Sequence, residues 1–143
     1  MNAFMQVALD TAKEGAVLFS EIPVGAAIVH QGKVIARAHN RREELHDPTA
    51  HAEILAIREA AAFLQDWRLT DCDLYVTLEP CEMCMAAIRA ARIRRVYCGA
   101  YKPKDAPHAK EPEVYYGMEE DACAALLQDF FRQQRAEKET SCP

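Results

Sequence analysis

At 143 residues, half of them hydrophobic, the chain has room for one domain with a full apolar core and needs no disulfide staples. No stretch approaches the roughly 18 consecutive apolar residues of a membrane span, and the opening residues lack a basic start followed by an apolar run, so a cytoplasmic protein is expected. The formal net charge of −5 argues against a chain that binds nucleic acid through bulk charge.

In chain order, Phe4, Val7, Ala8, Thr11 and Ala12 share one face at helical spacing, and Gly15 suits the end of that first helix. Residues 24–29 and 34–38 are short apolar runs around Gln31-Gly32, the pattern of a β-hairpin. Residues 39–48, with Asn40, several charges and Asp47-Pro48, are expected as a loop. Thr49 is a fitting N-cap for a helix that carries His51, Glu53, Ile54, Leu55, Ile57 and Ala61 to about residue 64. Residues 74–78 favour a strand, Pro80 opens a helix over 81–91, and residues 93–98 favour a strand again. Residues 99–112 hold three of the seven prolines and are expected as a loop. A brief strand at 114–116 and an amphipathic helix over 119–135 follow, with Ala122, Ala125, Leu126, Asp129 and Phe130 on related faces. Strands alternating with helices imply an α/β domain over 1–135, with a sheet covered by helices, and a flexible tail over 136–143.

Two short strings carry the chemistry. His51-Ala52-Glu53 and Pro80-Cys81-Glu82-Met83-Cys84 each fall at the start of a predicted helix. One imidazole and two thiolates make a three-ligand zinc site, His51, Cys81 and Cys84, whose fourth position stays open to water. Zinc there lowers the pKa of that water toward ~7. Helix N-termini favour thiolate, and the i, i+3 spacing of the cysteines puts both sulfurs on one side of a turn. His51 and Glu53 are two residues apart and reach one site only at a helix mouth. Glu53 is assigned as the proton shuttle, taking a proton from water and passing it to a ring nitrogen and a leaving amine. The joint pattern H-x-E with P-C-x-x-C is that of zinc deaminases acting on nucleobases.

Other readings of the same residues are a redox CxxC and a structural zinc with Cys72 or Cys98 as fourth ligand. Cys72, Cys98 and Cys123 sit in apolar surroundings and are expected in the core. Cys142 lies in the tail. His30, His39, His46 and His108 show no ligand spacing. From Arg89 to Lys110 there are seven Lys/Arg against one acid, Asp105, so that segment is +6 and the remainder −11. Such a stretch either meets phosphate or complements a helix end.

The stretches Glu21-Ile-Pro-Val-Gly-Ala-Ala-Ile-Val29, His39-Asn40, His46-Asp-Pro-Thr-Ala-His-Ala-Glu-Ile54 and Leu74-Tyr-Val-Thr-Leu-Glu-Pro-Cys-Glu-Met-Cys84 closely resemble bacterial tRNA-specific adenosine deaminases. So do Ala91-Arg-Ile-Arg-Arg-Val96 and Leu126-Leu-Gln-Asp-Phe-Phe-Arg132, and the resemblance spans roughly residues 4–135. It implies a cytidine-deaminase-like three-layer α/β/α sandwich around a mixed sheet of about five strands. It also implies bound Zn2+, a homodimer, and conversion of the wobble adenosine in the tRNA anticodon loop to inosine. By the same resemblance Asn40 hydrogen-bonds the flipped base, Val24 lines the base pocket, Glu53 is catalytic, and His51, Cys81 and Cys84 hold the metal. One departure stands out. Where the family continues into a Lys-Gly-Ala-rich segment, residues 99–107 lead almost directly to Glu111-Pro112-Glu113. That shortening, with the acidic surface, keeps open a deaminase of a free base, nucleoside or other small amino-heterocycle. A zinc-bearing binding module without catalysis is the third reading.

Overall fold

The computed structural model describes residues 2–104 and 111–141 and divides into two units, 1–106 and 107–143. In the first unit, helix α1 (Ala3–Phe19) is capped by Asn2, whose Oδ1 accepts the N–H groups of Phe4 and Met5 at 2.8 and 3.1 Å. Strands β1 (Gly25–His30) and β2 (Lys33–His39) form the expected hairpin, with Gln31 and Gly32 both at positive φ. Two left-handed residues give the twist a two-residue hairpin turn requires. A short helix α2 (Arg42–Leu45) precedes α3 (Ala52–Leu64). Strand β3 (Cys72–Leu78), helix α4 (Glu82–Ala90) and strand β4 (Arg95–Ala100) complete the unit.

The sheet runs β2-β1-β3-β4, with β1 antiparallel to both neighbours and β3 parallel to β4. Alternation along the strands makes it the middle of three layers. Ala26, Ile28, Leu74 and Val76 join one cluster with α3 and Ile88 of α4, while α1 packs on the opposite face, where Phe4 meets Tyr75. Ile28, Leu69, Leu74 and Val76 are fully buried, each contributing about 1.5–3 kcal/mol of transfer free energy. The inner face of α3 is Ala52, Ala56 and Ala60, all fully buried at i, i+4 spacing. Small side chains let that helix lie close on the sheet, which brings its N-terminus to the end of β3.

Several sequence expectations need correction. Gly15 lies inside α1, not at its end; a Cβ there would collide with the His39 ring. Thr49 is not the N-cap of α3. Its N–H and hydroxyl are both spent on Asp47 Oδ1, at 2.8 and 2.7 Å, and His51 takes the cap position. Similarly α4 begins after Cys81, which is its N-cap. Within the loop expected at 39–48, α2 forms, and buried Glu21 accepts the Glu44 N–H at 2.9 Å. Cys72 is a core residue as expected, whereas Cys98 and Cys123 are exposed. In the second unit, residues 114–116 carry no strand, leaving four strands among the described residues, and α5 (Glu120–Ser141) continues through 136–141, where a tail was expected. His108 and Cys142 lie outside the described residues.

Asp73, nearly buried at the start of β3, binds both Arg94 (3.1 and 3.2 Å) and Arg95 (3.2 and 3.3 Å). The hydrogen bond from Arg94 holds this carboxyl below its usual range, against the opposing cost of burial. A depressed carboxyl contributes stability that is present above its unfolded pKa of about 4 and lost as pH falls through the folded value. Because both arginines are half-exposed, Asp73→Asn should cost only about 1–2 kcal/mol at pH 7. Urea unfolding should show that gap closing below pH ~4; a constant gap would contradict the pairing.

Candidate active site

Two helix N-termini meet at the end of β3. His51 sits at the cap of α3 with extended backbone (φ −73, ψ 152), and Cys81 sits at the cap of α4 (φ −72, ψ 175). Neither side chain makes a capping hydrogen bond. A cap position costs about 1 kcal/mol when its residue does not cap, so these two helices give up local stability and leave an imidazole and a thiol free for another use. His51 Nδ1 lies 3.6 Å from Cys81 Sγ and 3.4 Å from Cys84 Sγ. The three ligand atoms all fall within 4.8 Å of one another. Tetrahedral zinc, with Zn–S about 2.3 Å and Zn–N about 2.05 Å, requires N and S ligands about 3.5 Å apart. The donor set therefore fits zinc in both element type and spacing.

The electrostatics suit metal binding by His51 and correct the expectation that the helix N-terminus alone makes Cys84 a thiolate. Burial holds the His51 pKa below its usual value, more than the nearby Glu53 charge raises it, so the imidazole is neutral, as a metal ligand must be. Burial, reinforced by the charges of Glu53 and Cys81, pushes the Cys84 thiol far above the ordinary range. A thiolate in that place requires a cation beside it.

Glu53, in the first turn of α3 and 4% exposed, lies close enough to Cys84 for its charge to raise that thiol's pKa. Because His51 is the extended cap residue, the i, i+2 separation does not keep the two side chains apart. A cavity of about 130 Å3 opens beside them. Ile22, Val24 and Leu78 form its apolar lining, and Asn40, Glu53 and Glu79 line it with polar groups, beside His51 and Cys81. Asn40, almost fully buried, and Val24 come from the two ends of the hairpin, joined by the Asn40 N–H to the Val24 carbonyl at 3.1 Å. A larger cavity, about 520 Å3, lies among α1, β2 and α3 and contains none of the candidate residues. Chemistry, not volume, picks out the site.

Sequence reasoning gave Glu79 and Arg42 no role and placed Lys102 only within the basic run from Arg89 to Lys110, yet all three line this cavity. Glu79 had a signal, its place between the strand and Pro80. Lys102 had none beyond that run. It arrives through the parallel pairing of β3 with β4, where the Glu79 N–H donates to the Ala100 carbonyl at 2.8 Å and the Lys102 N–H donates to Glu79 Oε2 at 2.9 Å. The basic segment is not one surface. Arg94 and Arg95 are paired at the start of β3, about 20 Å from its far end at 3.3 Å per residue, whereas Lys102 lines the cavity.

The profile of the cytidine and deoxycytidylate deaminase zinc-binding region matches residues 1–100. The chain belongs to this deaminase family. A tRNA-specific adenosine deaminase of Agrobacterium fabrum is 47% identical to it over 146 aligned residues, covering 92% of this chain and 94% of that one. The alignment is longer than the 143 residues of this chain, so it includes positions that the relative has and this chain lacks. A solved structure from a study of A-to-I editing by tRNA:A34 deaminases at the wobble position shares 56% identity, with a TM-score of 0.68, over 71% of this chain and 77% of its own. The guanine deaminase of Bacillus subtilis shares 32% identity, with a TM-score of 0.74, over 90% of this chain and 95% of its own. Among the described residues of the deaminase, no helix is long and apolar enough to cross a membrane.

Proposed function

We propose that this protein is a zinc-dependent hydrolytic deaminase that converts adenosine to inosine at the wobble position of tRNA. The observation that carries the reading is the convergence of His51, Cys81 and Cys84 at zinc-ligand spacing, with buried Glu53 beside them and a base-sized cavity in front. The identity to tRNA-specific adenosine deaminases over nearly the whole chain supports the choice of substrate. A loop base is already unstacked, so extruding it into the cavity costs little.

In this reading His51, Cys81 and Cys84 hold the metal. Zinc bound there supplies Lewis acidity, which makes water a competent nucleophile near neutral pH. Asn40 hydrogen-bonds the base edge, and Val24 packs on its face. Glu53 accepts a proton from the water that adds to C6 and gives it to ring N1. It then carries the second proton to the amino group, which leaves as ammonia. One water is consumed, and one C–N bond is exchanged for C–O. A homodimer in the cytoplasm completes the proposal.

The guanine deaminase that superposes on 90% of the chain favours a second reading, deamination of a free base. The zinc-loaded protein should be incubated with an anticodon stem-loop RNA and, separately, with adenine, guanine, cytosine and their nucleosides, with ammonia as readout. Ammonia from the RNA with inosine in the product is expected. Ammonia from a small molecule and none from RNA would establish the second reading instead.

A further inference from the structure

The cavity beside Glu53, at about 130 Å3, is well below the roughly 300–1,000 Å3 of pockets that enclose a whole drug-sized ligand. It has room for one heterocycle, and the rest of a larger substrate stays outside. Two cations stand on its lining. Arg42 is the first residue of α2, and Lys102 follows β4. Five other cations of this unit are committed to ion pairs. Arg37 pairs with Glu14, Arg41 with Glu44, Arg68 with Asp66, and Arg94 and Arg95 with Asp73. Among the described residues, neither the Arg42 nor the Lys102 side chain enters an ion pair. The acid on the lining nearest Lys102 in the chain, Glu79, has one oxygen engaged by the Lys102 backbone N–H. Two uncommitted cations on one small cavity run against the net charge of −5. An uncharged base needs neither of them.

We infer that Arg42 and Lys102 form a phosphate clamp on the substrate, so that the cavity takes its base only as part of a nucleotide. The inference rests on the deaminase reading above and narrows it: a free base or nucleoside lacks the group that these two side chains bind. Arg42 supplies a fork of donors suited to a phosphate, and Lys102 a mobile point charge. Together they set KM, while Glu53 sets the rate of chemistry.

The test uses the zinc-loaded full chain and reads binding separately from turnover. Fluorescence anisotropy of the anticodon stem-loop RNA across 50–200 mM salt gives affinity and its salt slope. Turnover of the RNA, of adenosine 5′-monophosphate and of adenosine gives KM and kcat. Arg42→Gln and Lys102→Gln should each weaken RNA binding about tenfold, raise KM with little change in kcat, and lower the log–log salt slope by about one. Arg42→Lys should retain the slope, and Lys33→Gln, at the hairpin turn, should behave as wild type. A monophosphate that also loses about tenfold in the variants would show that one phosphate suffices; loss confined to the RNA would place the contact on the polymer backbone. Unchanged affinity and slope in both variants would overturn the clamp, as would adenosine turned over as efficiently as RNA. Because anisotropy needs no turnover, the slopes judge the clamp even if no substrate releases ammonia, a result that would count against the deaminase reading instead.

Discussion

Glu53→Ala is expected to keep its zinc and its fold while losing about 10²–10⁴-fold in kcat on the RNA substrate. Glu53 is 4% exposed at the first turn of α3 and on the lining of the cavity. It is the buried carboxylate beside His51, Cys81 and Cys84, so in the proposed mechanism its removal cuts the path by which protons leave the attacking water and reach N1 and the amino group. Asn40 and Val24 remain, so KM should move little. The checks are metal analysis, circular dichroism and single-turnover kinetics on the same preparation. An unchanged rate with full zinc would mean that protons travel by another route. Loss of zinc in this variant would make Glu53 a support for the metal site instead of a proton carrier.

Cys84→Ser should empty the metal site and lower stability by about 3–4 kcal/mol, the amount linked to losing a ligand present at several hundred times its dissociation constant. Cys84 is fully buried, and burial next to Glu53 and Cys81 strongly disfavours its thiolate, so the cation and this sulfur depend on one another. A chelator should reproduce the loss in the wild-type protein and do nothing further to the variant. Urea unfolding with and without chelator, with zinc measured alongside, checks both statements. Full zinc occupancy in the variant would remove Cys84 from the ligand set.

Local pattern foretold much of this molecule and failed where distant parts meet. The hairpin at Gln31-Gly32, the helices carrying His51 and Cys81, and the alternating strands were all readable, because each rests on residues within a turn or two. The N-cap of α3 was misread because cap preferences favour a hydroxyl such as that of Thr49. Here the cap position belongs to a histidine with a different task, and Thr49 closes a turn on Asp47. Gly15 looked like a helix stop. Its real constraint is the His39 ring from a strand further along the chain, which no local rule detects. The basic run from Arg89 looked continuous, yet the β3–β4 register divides it, putting Arg94 and Arg95 on Asp73 and Lys102 at the cavity. The cluster of His51, Cys81 and Cys84 was readable because zinc constrains residue type and spacing so tightly. Arg42 was not, because a cation that lines a cavity only in three dimensions leaves no periodic trace, and Lys102 was legible only as one charge of the basic run.

X-ray absorption at the zinc K-edge of the purified protein tests the account most directly. It should find one zinc per chain with two sulfurs at about 2.3 Å, one imidazole nitrogen at 2.0–2.1 Å and a light solvent atom as the fourth neighbour. A third sulfur, a second histidine in place of solvent, or a protein that takes up no zinc would contradict it.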